Sequence, residues 1–235
     1  MPMQLIDICS IFTQMLLPQH CLLCGASGEG LQPLCAGCHA DLPWQPEAVC
    51  SVCAMPSPAA ATCGACLKSP PAFDATLAAL QYRFPLTALL QAYKYGERLQ
   101  LTGLFGQLLA EKVRYAPAPD MVLAMPLHPS RLKERGFNQA AELARVVAKC
   151  LHLPLVLNAC SRTRATPPQA SLPLKDRAKN LRGAFACTPV VTGKRVAVVD
   201  DVMTSGASLN ELAKTLKKSG AREVYCWVVA RTLAD

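Results

Sequence analysis

Residues 196–209 read VAVVDDVMTSGASL, and this stretch decides which fold the chain adopts. Four apolar residues predict a buried strand that ends at Val199, and the acidic pair Asp200 and Asp201 follows it. Small and hydroxylated residues then lead into a predicted helix: Thr204, Ser205, Gly206, Ala207 and Ser208. Because open α/β sheets bind ligands at the carboxyl ends of their strands, we expect a site here.

The chemistry of this stretch suits a ribose 5-phosphate. Backbone N–H groups and hydroxyls at a helix N-terminus can surround a phosphate, and Gly206 permits close approach. The two carboxylates can accept hydrogen bonds from the vicinal hydroxyls of a ribose. A helix cap or a receiver-type phosphorylation site are the alternatives, whereas a Walker A loop and a dinucleotide-binding glycine pattern are both absent. The stretch resembles the PRPP (5-phosphoribosyl 1-diphosphate) pattern of type I phosphoribosyltransferases, with Met203 and Ser205 as conservative departures.

Strand and helix patterns alternate around this stretch. Residues 121–127 (MVLAMPL) and 224–230 predict strands, and residues 138–151 and 209–219 predict helices. This alternation implies a mostly parallel sheet with both faces covered. Residues 86–114 also have a helical pattern, which we expect to be interrupted near two of their glycines, Gly96 and Gly103.

Eight of the thirteen cysteines form four Cys-x-x-Cys pairs: Cys21 with Cys24, Cys35 with Cys38, Cys50 with Cys53, and Cys63 with Cys66. Ten and nine residues separate the pairs in the two halves, so the segment is an internal repeat. Two such pairs complete a closed tetrahedral site with Zn–S distances of about 2.3 Å. The pattern predicts two structural zinc ions, and free or disulfide-bonded cysteines are the alternative. Pairing within each half is favoured, a cross-braced arrangement stays open, and His20 and His39 are surplus.

The composition predicts three segments along the chain. Residues 1–18 have apolar residues at helical spacing and no basic start, which favours an amphipathic docking helix over a signal peptide. Residues 19–70 form the double zinc ribbon, and residues 73–235 form the α/β domain. No apolar run is long enough for a membrane span, so we expect a cytoplasmic protein.

The net charge of +8 is unevenly distributed. Residues 1–72 contain one lysine against four acidic residues, so the cysteine-rich part is acidic and the positive charge lies in the rest of the chain. We therefore expect any polyanion to meet the α/β domain first.

The whole chain resembles the ComF family, and within it the GntX-type members. Five kinds of stretch carry this resemblance besides the ribose-phosphate loop: the cysteine pairs, LLQAYKYGER (89–98), MPLHPSRLKERGFNQA (125–140), SRTRATPPQASL (161–172) and RAKNLRGAF (177–185). The resemblance implies a type I phosphoribosyltransferase fold behind a small N-terminal double zinc ribbon. It also implies a role in natural competence or in the use of external DNA as a nutrient.

On this interpretation the chain is a Mg²⁺-dependent PRPP-binding protein that transfers phosphoribosyl groups to an unknown acceptor. Asp200 and Asp201 would be the catalytic pair that orients the ribose, and residues 204–208 would hold its 5-phosphate. The pyrophosphate and flexible-loop candidates are Arg131, Arg135, Arg162, Arg164, Thr166 and Gln169.

Two other interpretations stay open for the basic residues. Each arginine is alternatively a solvated surface charge. Together they could also hold single-stranded DNA, which would make the chain a non-catalytic factor of a DNA-uptake machinery built on the same fold.

Overall fold

The computed structural model describes residues 20–27, 33–94, 100–165 and 181–233. The chain divides into two compact units, Met1–Leu42 and Pro43–Asp235. The first cysteine group lies in the first unit and the second group in the second. The predicted helix at residues 1–18 lies outside the described residues, and the predicted module boundary at residues 70–73 stays a prediction.

The first unit is organised around its four cysteines. The amide of Cys21 donates to the carbonyl of Ala26 (2.8 Å), which closes the turn that carries the first pair. The second pair lies at the short helix α1 (Ala36–Ala40): Cys35 directly precedes the helix, and Cys38 lies within it. Short turns of this kind suffice because a closed metal site, once formed, supplies folding energy that the small core cannot.

The second unit contains a four-stranded sheet and its flanking helices. In chain order its elements are α2 (Gly64–Lys68), β1 (Ala75–Gln81), α3 (Leu86–Lys94), α4 (Leu101–Val113), β2 (Met121–Ala124), α5 (Pro129–Arg135), α6 (Gln139–Leu151), β3 (Cys160–Arg162), β4 (Phe185–Cys187), β5 (Arg195–Met203), α7 (Ala207–Lys218) and β6 (Glu223–Arg231). Short 3₁₀ turns lie at Pro58–Ala60 and Pro189–Val191.

The sheet has the strand order β1-β6-β5-β2, and the neighbouring strands are parallel. Residues 196–199 of β5 are all at most 1% exposed. Because successive strand residues point to opposite faces, this burial shows that both faces are covered, as the alternating pattern predicts. On one face, Val196 and Val198 pack in a cluster with α7 residues Leu209 and Leu212.

Strand β5 is longer than the sequence pattern predicts. It continues past Val199 through both aspartates to Met203, because β6 runs beside it and pairs with Asp200, Val202 and Met203. The ribose-phosphate stretch therefore begins inside a strand, and its acidic pair sits on a hydrogen-bonded backbone.

The segment before the second cysteine group covers the outer edge of the sheet. The amide of Gln45 donates to the carbonyl of Ala79 (3.1 Å), and that of Gln81 donates to the carbonyl of Pro43 (2.7 Å). Trp44 faces Leu80 in an antiparallel bridge. An exposed edge strand would invite pairing with other chains, so this cover protects β1.

A second, two-stranded sheet pairs β3 and β4 in antiparallel fashion. Within the described ranges, no helix has the length and apolar content that a bilayer crossing requires.

Candidate functional site

The cysteines assemble into two groups, each made from the pairs of one half. In each group the four Sγ atoms lie within 4.8 Å of one another: Cys21, Cys24, Cys35 and Cys38 in one, and Cys50, Cys53, Cys63 and Cys66 in the other. The sequential pairing that the spacing favours is therefore the one observed, and the cross-braced arrangement is not formed.

The sulfur geometry fits zinc. The Sγ atoms of Cys24 and Cys35 are 3.8 Å apart, and those of Cys53 and Cys63 are 3.6 Å apart. Four sulfurs placed tetrahedrally around zinc at about 2.3 Å would be separated by about 3.8 Å. The amide of Cys63 also points to the Sγ of Cys50 at 3.3 Å, where a thiolate accepts a hydrogen bond. Four protein ligands leave no open position, so each group suits a structural zinc ion.

The acidic pair lies in the last part of β5. One carboxyl oxygen of Asp200 accepts the amide of Asp201 (2.9 Å), and one of Asp201 accepts the amide of Val202 (2.7 Å). The two carboxyl groups are also within hydrogen-bonding reach of each other. Burial, together with the negative charge of Asp201, raises the pKa of Asp200 to about 8. Asp200 is therefore largely protonated at neutral pH.

Lys94, the last residue of α3, neutralises this pair from the neighbouring helix. Its Nζ lies 3.1 Å from Oδ2 of Asp201, and both side chains are largely buried. Burial works against a charged lysine, but the negative charge of Asp201 outweighs it and raises the pKa of Lys94. The backbone of Lys94 is held as well, because Nε2 of Gln139 donates to its carbonyl (3.0 Å).

The predicted phosphate loop turns tightly at Gly206. This residue has φ = 76° and caps the N-terminus of α7. A Cβ there would lie 2.6 Å from Cε of Met203, the flexible end of that side chain, so it is the left-handed backbone angle that requires glycine. Thr204 and Ser205 are exposed, and the hydroxyl of Ser205 lies 3.4 Å from the amide of Ala207. The loop thus presents hydroxyls and a helix N-terminus to solvent directly after the acidic pair.

Arg231 holds this loop through hydrogen bonds to backbone carbonyls. Its buried guanidinium donates to the carbonyls of Met203 (3.0 Å), Thr204 and Thr232 (2.8 Å), and its Nε donates to the carbonyl of Cys53 (2.8 Å). One side chain therefore ties the second cysteine group to the phosphate loop.

Sequence reasoning missed Arg231 and gave Lys94 no role. Each is a single basic residue at the end of an apolar run, and this placement is the signal that could have identified them. A lone charge at such a position needs a partner inside the fold.

Two of the predicted arginines are held by their own helix or its neighbour. Nη1 of Arg131 contacts both carboxylate oxygens of Glu134, at 2.8 and 3.1 Å. Nη1 of Arg135 donates to Oε1 of Gln139 at 3.2 Å. The Arg131–Glu134 pair lies at the surface, where such pairs contribute little stability and can open for a ligand.

Arg162 is affected electrostatically by Asp200 of the acidic pair. It is half-buried at the end of β3, and its guanidinium carbon is 5.8 Å from the ring centre of Phe185. Burial and the positive charge of Arg131 lower the pKa of Arg162, while the charge of Asp200 opposes this effect. Arg131 and Asp200 therefore both act electrostatically on Arg162.

The remaining loop candidates are less defined. Arg164 is exposed two residues beyond β3, and Thr166 and Gln169 lie outside the described residues. Taken together, the described site offers paired carboxyls for a diol, a hydroxyl-rich loop for a phosphate, and Arg162, which interacts with Asp200 and Arg131, for further negative charge.

Two family models match this chain. One is described as a double zinc ribbon domain and matches residues 12–67, and the other is described as a phosphoribosyl transferase domain and matches residues 132–235. With the parallel sheet and the two cysteine groups, they confirm the predicted phosphoribosyltransferase fold behind a double zinc ribbon. A purine phosphoribosyltransferase from Pyrococcus horikoshii is 21% identical and covers 57% of this chain and 74% of its own, but its TM-score of 0.36 is too low to add to this assignment.

Curated relatives span most of the chain. The DNA utilization protein YhgH of Escherichia coli K12 is 32% identical over 194 residues, which are 80% of this chain and 86% of the relative. Competence protein F of Haemophilus influenzae is 33% identical over 208 residues, which are 84% of this chain and 90% of the relative. The chain therefore belongs to the ComF family of competence and DNA utilization proteins, in which a double zinc ribbon precedes a phosphoribosyltransferase domain.

Proposed function

We propose that this chain binds PRPP together with Mg²⁺ at the carboxyl end of β5, and that it does so in the cytoplasm. The observation that carries the proposal is the sequence of groups along one stretch of backbone. The carboxyl pair Asp200 and Asp201 is followed within a few residues by the glycine-turned, hydroxylated loop at the N-terminus of α7. A ribose 5-phosphate offers a diol and a phosphate in the matching order.

Each part of the ligand has a partner of suitable chemistry. Asp200 and Asp201 would accept hydrogen bonds from the ribose hydroxyls. The hydroxyls of Thr204, Ser205 and Ser208 and the amides that begin α7 would surround the 5-phosphate. Lys94 keeps the net charge beside the diol small, since it is paired with Asp201.

The pyrophosphate requires positive charge, because several phosphate oxygens would otherwise repel one another. Arg162 interacts electrostatically with Asp200 and with Arg131, so these two arginines are the candidates for this charge. Mg²⁺ would neutralise the pyrophosphate further, and the carboxylate of Asp201 is a kind of ligand that Mg²⁺ accepts in proteins. In an enzyme, these groups would stabilise the pyrophosphate as it leaves and the phosphoribosyl group passes to an acceptor.

The test is calorimetric titration of PRPP with Mg²⁺ into the zinc-loaded protein, beside the double variant Asp200→Asn, Asp201→Asn. We expect saturable binding by the wild type and its loss in the double variant. A matched control is Asp120→Asn, which removes a carboxylate beside Arg195 at the opposite end of β5 and should leave binding unchanged.

A lack of binding is informative only if the protein is folded, so zinc content and circular dichroism are measured on every sample. A folded, zinc-loaded wild type that shows no saturable binding would overturn the proposal. In that case the alternative function is tested next by fluorescence anisotropy with a labelled single-stranded oligonucleotide. Binding that weakens steeply with salt would then favour a DNA-handling factor that has kept the enzyme fold.

The names of the relatives supply the biological setting of the proposal. They concern DNA utilization and competence. DNA taken up as a nutrient is a source of bases and sugar phosphates, so a PRPP-binding domain would act where these products are recovered. Contact with a DNA-uptake machinery is part of this proposal.

A further inference from the structure

The small sheet formed by β3 and β4 places two cysteines directly opposite each other. Cys160 faces Cys187, and the next pair along is Ser161 with Ala186, followed by Arg162 with Phe185. Neither cysteine belongs to the zinc groups, and both are half-buried.

The hydrogen-bond pattern defines the kind of pair that they form. The amide of Thr188 donates to the carbonyl of Ala159, and that of Thr163 donates to the carbonyl of Ala184. In an antiparallel ladder hydrogen-bonded and non-hydrogen-bonded pairs alternate, so Cys160 and Cys187 form a non-hydrogen-bonded pair. The Cα atoms of such pairs are about 4.5 Å apart, which lies within the range that disulfides span.

The two thiols already interact. Cys160 and Cys187 share a side-chain hydrogen bond, which raises the pKa of Cys160 and lowers that of Cys187. Cys187 is therefore the member that more readily forms the thiolate, the species that attacks disulfides.

We propose that Cys160 and Cys187 form a reversible cross-strand disulfide, with a low-molecular-weight disulfide as the oxidant. The Cys187 thiolate attacks one sulfur of the oxidant, forms a mixed disulfide and expels one thiolate. Cys160 then loses its proton and attacks the Cys187 sulfur, which expels the second thiolate. The two protein thiols thus lose two electrons and two protons, and one oxidant molecule becomes two small thiols.

The position of this bond gives it a consequence for the site. Cys160 and Arg162 are two residues apart on β3 and therefore share a face, beside Cys187 and Phe185 of β4. The negative charge of Asp200 acts on Arg162, against the effects of burial and of Arg131 on its pKa. A disulfide would fasten together the two strands that hold Arg162 in this place.

The test equilibrates the full-length, zinc-loaded protein with mixtures of oxidised and reduced glutathione, then blocks free thiols by alkylation and maps peptides by mass spectrometry. We expect a linked peptide pair that contains Cys160 and Cys187, with the loss of two hydrogens, and its reversal by excess dithiothreitol. Zinc content should stay constant, which shows that the metal-site thiols are not the ones oxidised.

Three variants make the result specific. Cys160→Ser and Cys187→Ser should each abolish the link, whereas Cys150→Ser removes an exposed thiol on α6 and should preserve it. Separate glutathione adducts on Cys160 and Cys187 without a link, or no reaction at the most oxidising mixture, would overturn the proposal. No ligand enters this experiment, so its outcome is independent of PRPP binding.

Discussion

At the scale of single residues, the charge of Asp200 is set by its surroundings. The side chain is held among apolar strands beside a second carboxyl group, and both conditions disfavour a second negative charge. A ligand whose hydroxyls donate to this pair therefore meets a largely protonated Asp200 at neutral pH.

This proton makes stability depend on pH in a known direction. The pKa of Asp200 is about 8 in the folded state, above its value of about 4 in the unfolded chain. Between these values the folded state holds a proton that the unfolded state releases, so rising pH favours unfolding, and the loss is complete above pH 8. Asp200→Asn cannot ionise and should escape this loss. Urea unfolding at pH 6, 7 and 8 should show the variant gaining on the wild type by up to about 1.4 kcal/mol per pH unit.

The matched control is Asp120→Asn. The amide of Arg195 donates to Asp120 and lowers its pKa, so this group is ionised in both states over the same range. Its variant should therefore run parallel to the wild type from pH 6 to pH 8. If the free energy of unfolding of Asp200→Asn also ran parallel to that of the wild type over this pH range, the raised pKa of Asp200 would be contradicted.

At the scale of elements, Arg231 joins the end of β6 to a loop and to a metal site. Four carbonyl oxygens from three parts of the chain accept its hydrogen bonds. Arg231→Met would fill similar space but leave these buried carbonyls without a donor. We expect the free energy of unfolding to fall by about 2–4 kcal/mol, and Arg231→Lys to restore only part of it.

The comparison for this prediction is Arg222→Met. Arg222 lies at the surface before β6, with only a loose pair to Glu223 at 3.8 Å. Its loss should change the free energy of unfolding by less than about 0.5 kcal/mol in the same denaturation experiment. Equal effects of the two variants would show that the Arg231 network contributes nothing beyond an ordinary surface charge.

The elements also show which signals a sequence carries. The burial of residues 196–199 and the helices at residues 138–151 and 209–219 follow local hydrophobic periods, and the structure confirms them within two residues. The break expected near Gly103 is wrong, because α4 runs through it; the residue that matters is Gly106, where a Cβ would meet Val146 of α6 at 2.5 Å. Whether two helices approach closely at a glycine depends on a partner residue far away in the sequence. The glycine alone therefore does not predict the contact.

Strands β1, β3 and β4 were not predicted for the same physical reason. Strand β1 reads ATLAALQ, with few β-branched residues, and it is stabilised by its pairing with β6 far along the chain. Strands β3 and β4 have three residues each, and each is defined by its pairing with the other. The acidic pair and the phosphate loop were predictable because their chemistry is contiguous in sequence, whereas Lys94 and Arg231 reach the site through the fold.

At the scale of the whole molecule, the two cysteine groups are expected to differ in what they support. The second group lies in the same unit as the sheet and is bonded to it by the amide of Thr76, which donates to the carbonyl of Ser51 (3.2 Å), and by Arg231. The first group lies in its own unit. Loss of one ligand releases the metal and with it the folding energy of that group.

Cys50→Ser should therefore lower the melting temperature of the sheet by roughly 10 °C, and Cys21→Ser should leave it nearly unchanged. Tryptophan fluorescence reads this out, because both tryptophans of the chain, Trp44 and Trp227, belong to the second unit. Zinc content of about one ion per chain should accompany each variant. A similar decrease in melting temperature for both variants would contradict the prediction that only the second cysteine group stabilises the sheet.

The strand order has a consequence for how the protein is made. Strand β6 is synthesised last of the four, yet it lies between β1 and β5. During translation about 140 residues are made between β1 and β6, so β1 stays without its neighbour in the sheet until β6 has been synthesised. Only then can Arg231 reach back to Cys53 and close beneath the phosphate loop. A chain that is truncated before this strand would lack the strand between β1 and β5 and would expose the apolar faces of both. Exposed apolar surface of this kind is bound by chaperones and makes a chain prone to aggregation and proteolysis.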